Sequence, residues 1–429
     1  MNNSKSYKHS LMAACAGARR TACTIAMLLL GILAMHAFDY NGCTYAINSD
    51  GTTVTLTAGT ATSGQTIIVP GYAYDGSESY AVTVIKGGAF PNKVTAGCNK
   101  VVIGDNVERI ENKAFEFFAN NSDGNVLVLG RNVTVIENKA FEHFSEYGNN
   151  NSIIVACDGV PSAKKAFEHA QNTTVYVKDE ATYNKYKNEE GWSGFDGKNG
   201  NKYDLSSQTW DMNIAGGKWV TAMFPEDIDE STMKAYFGKD TKWARLRDRS
   251  YSISGNDYVF RLDFRVYTTK IPANTPILIK ASQKESRYVG YTDFAEGEHS
   301  IKQSFEVNDW HDLYMIGANE AYTLQKGEYY IRSREGDKLT FYEAADDTSC
   351  HVGKGKCYFR LEETGTGKLV SAKLQFVIDG EATAIDGVET DAREAPTAIY
   401  SITGQYEGND ISTLKSGVHI VNGKKILVK

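Results

Sequence analysis

VVIGDNVERIENKAFEFF (101–118) aligns without gaps on LVLGRNVTVIENKAFEHF (127–144), with twelve of 18 positions identical at an offset of 26 residues. A match of that length at a fixed offset marks an internal repeat, which constrains the fold more than any single element does. The period continues, with Ile153-Ile154-Val155 under Leu127-Val128-Leu129 and Lys165-Ala166-Phe167-Glu168-His169 repeating the run from Lys139 to His143. Residues 82–85 with Gly88-Ala89-Phe90 read as a degenerate earlier copy, and Val175-Tyr176-Val177 as the last rung. Each unit offers a three-residue apolar strand, a Gly-x-Asn turn, a second apolar pair such as Val107 and Ile110, and a short Lys-Ala-Phe helix. One unit cannot bury its strand and its Phe alone. Stacked units can, with strand pairing on strand and Phe115, Phe141 and Phe167 forming a column. The prediction is a short curved solenoid, in which Asn-rich insertions at 119–125 and 148–152 lengthen the loops and limit any concave binding face.

The pattern Gly-x-x-Val-x-x-Ile-x-x-x-Ala-Phe resembles the BspA-like leucine-rich repeat of exported Bacteroidetes proteins. FDYNGCTYAI (38–47) resembles the N-terminal hairpin cap of such proteins, with Asn41-Gly42 as a two-residue turn. ATYNKYKNEEGWSGF (181–195) resembles their closing helix and Gly-Trp segment. The resemblance covers roughly residues 38–200, with three or four clear units in place of a long array.

DGKNGNKYD (196–204) marks a change of composition, and beyond it the pattern becomes alternating strands at 219–224, 258–267, 276–280, 329–332, 339–342 and 373–378. Turns rich in Gly, Asn and Asp at strand-sized spacing read as an all-β sandwich over 201–380. AGGKWVTAMFPEDI (215–228) and KIPANTPILIKA (270–281) resemble segments of a β domain that follows such repeats in Bacteroidetes surface proteins. A polar linker is expected at 381–396. IYSITGQ (399–405) and LKSGVHIVNGKKILVK (414–429), with a hairpin around Asn422-Gly423, resemble the C-terminal sorting domain of type IX secretion substrates, over a small β module at 397–429.

Residues 1–37 read as a secretory signal peptide: a basic front (Lys5, Lys8, Arg19, Arg20), the apolar run TIAMLLLGILA (24–34), and cleavage after Ala37. The run is too short to span a bilayer, so no membrane span is expected after its removal. The chain has 429 residues and a formal net charge of −7; losing four basic residues and no acidic one takes the mature form to −11. An acidic chain gives no basic surface for nucleic acid. Five cysteines would remain, an odd number in a chain large enough not to need a disulfide framework. Cys350 and Cys357, bracketing HVGKGK, are the best candidate pair, with two buried thiols as the alternative.

No spacing assembles a catalytic set. Gly191-Trp192-Ser193-Gly194-Phe195 is not a nucleophile elbow, since its fifth position is Phe and no strand leads into it. Gly365-Thr366-Gly367-Lys368-Leu369 resembles a phosphate loop only superficially, with Glu362 where the first Gly belongs and Leu369 in place of the Mg²⁺-binding hydroxyl. HExxH and CxxC are absent, and nothing favours a Ser-His-Asp set. Phe117, His143 and His169 share one repeat position and should stack about 5 Å apart. That is conceivable as a metal site, although Glu116, Glu142 and Glu168 beside them read as a solvated helix face. Trp210, Trp219, Trp243 and Trp310 are core residues or sugar platforms. Lys242, Arg245, Arg247 and Arg249, with Asp240 and Asp248, read as a solvated β edge or an acidic-glycan patch. The chain is therefore read as a mainly β, exported, non-enzymatic binding protein, secreted or on the outer cell surface. Its expected partner is a host or bacterial surface protein or glycan, and no catalytic, cofactor-binding or metal residue is assigned. Glycan capture by the middle domain, or a hydrolase site in it, are the alternatives.

Overall fold

The computed structural model describes residues 37–60, 66–95, 97–118, 123–205, 209–254, 257–307, 309–333, 339–344, 350–363, 372–379, 381–384, 389–390, 399–401, 406–408, 417–421 and 424–428. The expected leader, the Gly365–Leu369 stretch and the Asn422-Gly423 turn lie outside them. The chain is mainly β and divides into two compact units. Met1–Gly216, Ile228–Thr241 and Ala281–Asp293 form the first; Gly217–Asp227, Lys242–Lys280 and Phe294–Lys429 form the second. This division differs from the linear boundary expected at residue 200, because three later segments belong with the repeat.

In the first unit six short strands form one parallel sheet, in the order Lys202–Asp204, Thr173–Tyr176, Asn151–Val155, Val126–Leu129, Lys100–Ile103, Thr66–Val69. Its register aligns Ile67, Val101, Leu127, Ile153, Val175 and Tyr203, the inward position of every rung. The sequence reading therefore misses one rung at each end. Residues 82–85 belong instead to a second ladder, in which Ile85, Ile110 and Ile136 align. Between the ladders runs the aromatic column: Phe90–Phe115 at 4.8 Å, Phe115–Phe141 at 5.1 Å and Phe141–Phe167 at 5.3 Å between ring centroids. The hairpin of Ala37–Tyr40 and Cys43–Ile47 caps one end. Its Asn41 and Gly42 both take positive φ (49° and 77°), as a two-residue primed turn requires. At the other end, the helix Glu180–Tyr186 starts on Asp179, which accepts from the Thr182 amide. Trp192 is fully buried there, donating to the Pro161 carbonyl at 2.8 Å and closing the column on Phe167.

The Lys-Ala-Phe segments are turns, not the expected helices. Lys113 and Phe117, Lys139 and His143, and Lys165 and His169 all take φ between 55° and 73°, which breaks a right-handed helix twice per rung. Left-handed residues cost about 1–2 kcal/mol each. What holds them there is a third ladder of hydrogen bonds between rungs. The amides of Lys139, Phe141 and His143 donate to the carbonyls of Lys165, Ala166 and Glu168 at 2.8, 3.0 and 3.2 Å. The Asn-rich stretch likewise keeps the period and does not interrupt it: Asn149 and Asn151 bond across the rung to Asp123 and Asn125, 26 residues back. At the corners, a Cβ on Gly130 would lie 2.4 Å from the Gly104 carbonyl oxygen, so only glycine lets successive rungs approach this closely.

The second unit is a sandwich of two six-stranded sheets. One runs Trp219–Ala222, Ile277–Lys280, Lys242–Ser254, Asp257–Tyr267, Ala372–Ile378, Glu381–Ala384; the other runs His299–Val307, Asp309–Gly317, Cys357–Glu363, Glu328–Ser333, Leu339–Glu343, Glu389–Thr390. Phe376 of the first sheet stacks on Phe341 of the second at 4.2 Å and meets Phe359 edge-on at 6.0 Å. Residues expected as linker, Glu381–Ala384 and Glu389–Thr390, pair as edge strands. The C-terminal segments form a separate four-stranded antiparallel sheet, in which Gly417–Val421 pairs with Lys424–Val428. All five described cysteines are free thiols, and Cys357 is buried, donating to the Ala222 carbonyl. No helix among the described residues is long and apolar enough to cross a membrane.

Candidate functional site

A parallel sheet in a repeat has two faces, and here neither is free where the strands are longest. Ile68, Val102, Val128 and Ile154 point away from the aromatic column, yet each is at most 4% exposed. They are covered within the same unit by a two-stranded ribbon, Trp210–Ala215 with Glu285–Gly290, and by the helix Glu230–Phe237. Arg287 locks this cover. Its guanidinium is buried, donates to both carboxylate oxygens of Asp105 (Nε at 2.7 Å, Nη2 at 2.5 Å), and reaches the Ala156 carbonyl at 3.4 Å. Asp105 also accepts from the Arg131 amide of the next rung at 2.9 Å. Sequence reasoning missed this pair, since 182 residues separate its members and no spacing rule connects them.

The free face of the repeats is the turn side. Phe117, His143 and His169 stack there as the repeat position predicts, with centroids 4.4 and 5.3 Å apart and planes within 13°. Beside the rings runs a zipper of charge. Lys113 pairs with Glu116 (2.7 Å) and with Glu142 of the next rung (3.7 Å); Lys139 pairs with Glu142 (2.6 Å) and with Glu168 (3.9 Å). Glu142 is buried in this zipper, not on a solvated helix face. The hydrogen bond from Lys139, with the charges of Lys139 and Lys113, holds its carboxyl below the usual 4.5. Donor atoms of Glu116, Glu142 and His143 lie within 4.8 Å of one another, close enough to share a cation. Both carboxylates are already held by ammonium groups, which a cation would have to displace.

The lowered value makes a prediction with a definite sign. Glu142 stabilises the folded repeat fully above its unfolded value, and that contribution is lost as pH falls through the lower, folded one. Glu142→Gln should therefore flatten the decline in melting temperature below pH 4.5 while lowering stability at pH 7. Melting curves of both chains between pH 3 and 7 check this. A parallel decline in the two would place the acid sensitivity elsewhere.

The other candidate residues lead away from ligand chemistry. Trp219 and Trp243 are buried, and Trp243 donates to the Thr269 carbonyl and stacks on Tyr267 at 4.6 Å, so neither offers a platform. The Trp310 side chain lies outside the described residues. Lys242–Ser254 is an edge only in part: residues 242–244 pair with Ile277–Lys280, and beyond them Asp257–Tyr267 is the described partner strand, with a bulge at Arg247. Ser193 opens a short 3₁₀ turn against the buried Trp192. Burial pushes Cys43 and Cys98 to about 11 and Cys157 and Cys357 to about 12, so all four are protonated at neutral pH.

The fold defines a class: a mainly β protein in which a parallel-strand repeat solenoid and a β-sandwich are the two main bodies. No family model and no curated protein matches the sequence. Among solved structures, the chain is similar to a leucine rich cell surface protein from Faecalibacterium prausnitzii A2-165, at 18% identity and a TM-score of 0.25, over 34% of this chain and 46% of that one. It is also similar to a leucine-rich repeat protein from Bacteroides ovatus ATCC 8483, at 14% identity and a TM-score of 0.22, over 33% and 47%. The chain thus spans less than half the length of either. Likenesses of this size carry no function to this chain.

Proposed function

We propose that this is an exported, non-enzymatic binding protein that engages a host or bacterial surface protein through the turn side of its solenoid, at the cell surface or outside the cell. The observation that supports this reading is the ring stack of Phe117, His143 and His169, flanked by the Lys–Glu zipper. It forms a stripe of repeating chemistry on a backbone hydrogen-bonded from rung to rung. Such a stripe suits an extended macromolecular partner better than a small molecule. The signal peptide, the Bacteroidetes origin and the sorting role of the C-terminal module belong to the same proposal and rest on sequence resemblance. Intact mass of the native protein on its own cells tests export. A surface-bound form trimmed before Ile399 supports a working sorting tail, and a full-length periplasmic form counts against it.

Adhesion has its own test. Asn tolerates the left-handed backbone of all three ring positions, so Phe117→Asn with His143→Asn and His169→Asn removes the rings without adding strain. Beads coated with the full chain should bind intact epithelial or bacterial cells, less so as salt rises. The triple variant should bind at least tenfold less while still unfolding in one cooperative transition. Equal binding by both chains would sink the turn-side reading. Binding that survives protease treatment of the cells but not periodate would favour a glycan partner.

A further inference from the structure

The charge zipper on the turn side follows one rule, and the rule shows where a member is missing. Each glutamate of the zipper meets the lysine of its own rung and the lysine of the preceding one. Glu142 takes Lys139 at 2.6 Å and Lys113 at 3.7 Å; Glu168 takes Lys165 at 4.0 Å and Lys139 at 3.9 Å. Glu116 takes Lys113 at 2.7 Å, and the preceding rung has no lysine to match. The amide of Phe90 donates to Ala114 as those of Phe115 and Phe141 donate to Ala140 and Ala166, so Gly88 stands in the lysine position. Its φ of 68° is close to the 55–62° of Lys113, Lys139 and Lys165. A Cβ on Gly88 would meet nothing within 4 Å, so the space of the absent side chain is open.

A second cation is missing beside it. Glu137 pairs with Arg109 of the preceding rung at 2.8 Å, whereas the residue aligned with Arg109 one rung earlier is Val84. Glu111, the counterpart of Glu137, accepts instead from the Gly87 amide at 3.0 Å. Among the described residues, Glu111 pairs with no lysine or arginine and Glu116 with Lys113 alone. An open cavity of ≈580 Å³ lies over Gly87 and Gly88, with Glu111, Glu116 and Glu137 in its walls and Lys113 as the cation among its described lining residues.

Exposed carboxylates need no partner, so their charge alone would carry little. The template carries more: two following rungs show how this chain seats an ammonium between successive glutamates. The first rung keeps that backbone and leaves the side chain out. We propose that this groove takes a lysine side chain from the partner protein, its ammonium standing where Lys113 and Lys139 stand on the next rungs. The inference rests on the turn-side reading for the nature of the partner, and on the groove itself for the amine.

The test uses the full chain and Nα-acetyl-lysine amide, with Nα,Nε-diacetyl-lysine amide as the neutral control, followed by amide shifts in NMR. The lysine amide should give saturable shifts at Gly87, Gly88 and Asn112, and the diacetyl form none. Glu116→Gln and Gly88→Lys should each weaken binding tenfold or more, the second by filling the site from within. Lysine already takes this backbone on three rungs, so Gly88→Lys should melt no lower than the parent, and its lost binding could not be blamed on unfolding. Absence of saturable shifts at these residues would overturn the proposal, and so would unchanged binding in Gly88→Lys. The two readings fail separately. None of the three stacked rings lines the cavity, so the triple ring variant should still bind lysine amide. Adhesion that needs the rings, in a chain that binds no lysine amide, would remove this site and leave the turn-side reading standing.

Discussion

Phe141→Ala is expected to cost about 3–5 kcal/mol, the range for deleting a fully buried Phe whose surroundings cannot collapse. Phe141 is wholly inaccessible and lies between Phe115 and Phe167, with planes within 7° of both. Neither neighbour can move inward, because Phe115 is stacked on Phe90 and Phe167 is packed against Trp192 and Phe195. The Phe141 amide also donates to Ala166 at 3.0 Å. In a solenoid each repeat touches only its neighbours, so stability is close to a sum of rung and interface terms. Removing the central ring weakens two interfaces together, and neither side keeps enough rungs to stand alone. The cost is a large fraction of the whole stability of an ordinary domain, about 5–15 kcal/mol. Hydrogen exchange of the full chain locates the effect. Amides of Val126–Leu129 and Asn151–Val155 should lose protection together, while those of Lys242–Ser254 in the second unit keep theirs. A loss under about 1 kcal/mol, or uniform loss in both units, would mean that the column does not hold the repeat together.

Phe141 was legible because its role is periodic. Burial at one position per rung leaves a residue type at a fixed offset, and the strand triplets, the aromatic column and the ring stack are all legible that way, whereas the Asn41-Gly42 turn is legible from its dipeptide. What was misread is what periodicity does not encode. ENKAFE has good helix formers, and local propensity alone makes it a helix. The amides of Lys139, Phe141 and His143 instead donate to the next rung, and no local pattern records a bond to a residue 25 or 26 positions away. The cover was invisible for a related reason. Ile68, Val102 and Val128 make the strands apolar on both faces, which signals burial on both faces but not by what. The answer lies in Arg287 and its ribbon, which fall within the 201–380 span read as a sandwich and match none of the strands read there. The Asn-rich segments were discounted as insertions, although Asn125 and Asn151 kept the same 26-residue offset as the phenylalanines.

Those asparagines carry the second large effect. Asn99, Asn125 and Asn201 immediately precede a strand of the parallel sheet and Asn151 and Thr173 open one, and the strand registers align all five. Asn151 is fully buried, and its side-chain oxygen accepts from both the Asn125 amide (2.8 Å) and the Asn125 side chain (2.7 Å). Its own Nδ2 donates to the Ser145 hydroxyl at 2.6 Å, which in turn donates to the Gln171 carbonyl at 2.6 Å. One side chain thus ties three rungs where no water reaches. Asn151→Ala removes the oxygen that accepts two buried hydrogen bonds from Asn125, at about 1–3 kcal/mol each, so a loss of about 2–5 kcal/mol is expected. Asn151→Thr is the graded control, because Thr173 holds the aligned position one rung on and a hydroxyl keeps one acceptor. It should cost roughly half as much. Chemical denaturation of the three chains decides the matter. If Ala and Thr both stay within about 0.5 kcal/mol of the parent, relaxed rungs or water re-pair Asn125, and the repeat is held by its phenylalanines alone.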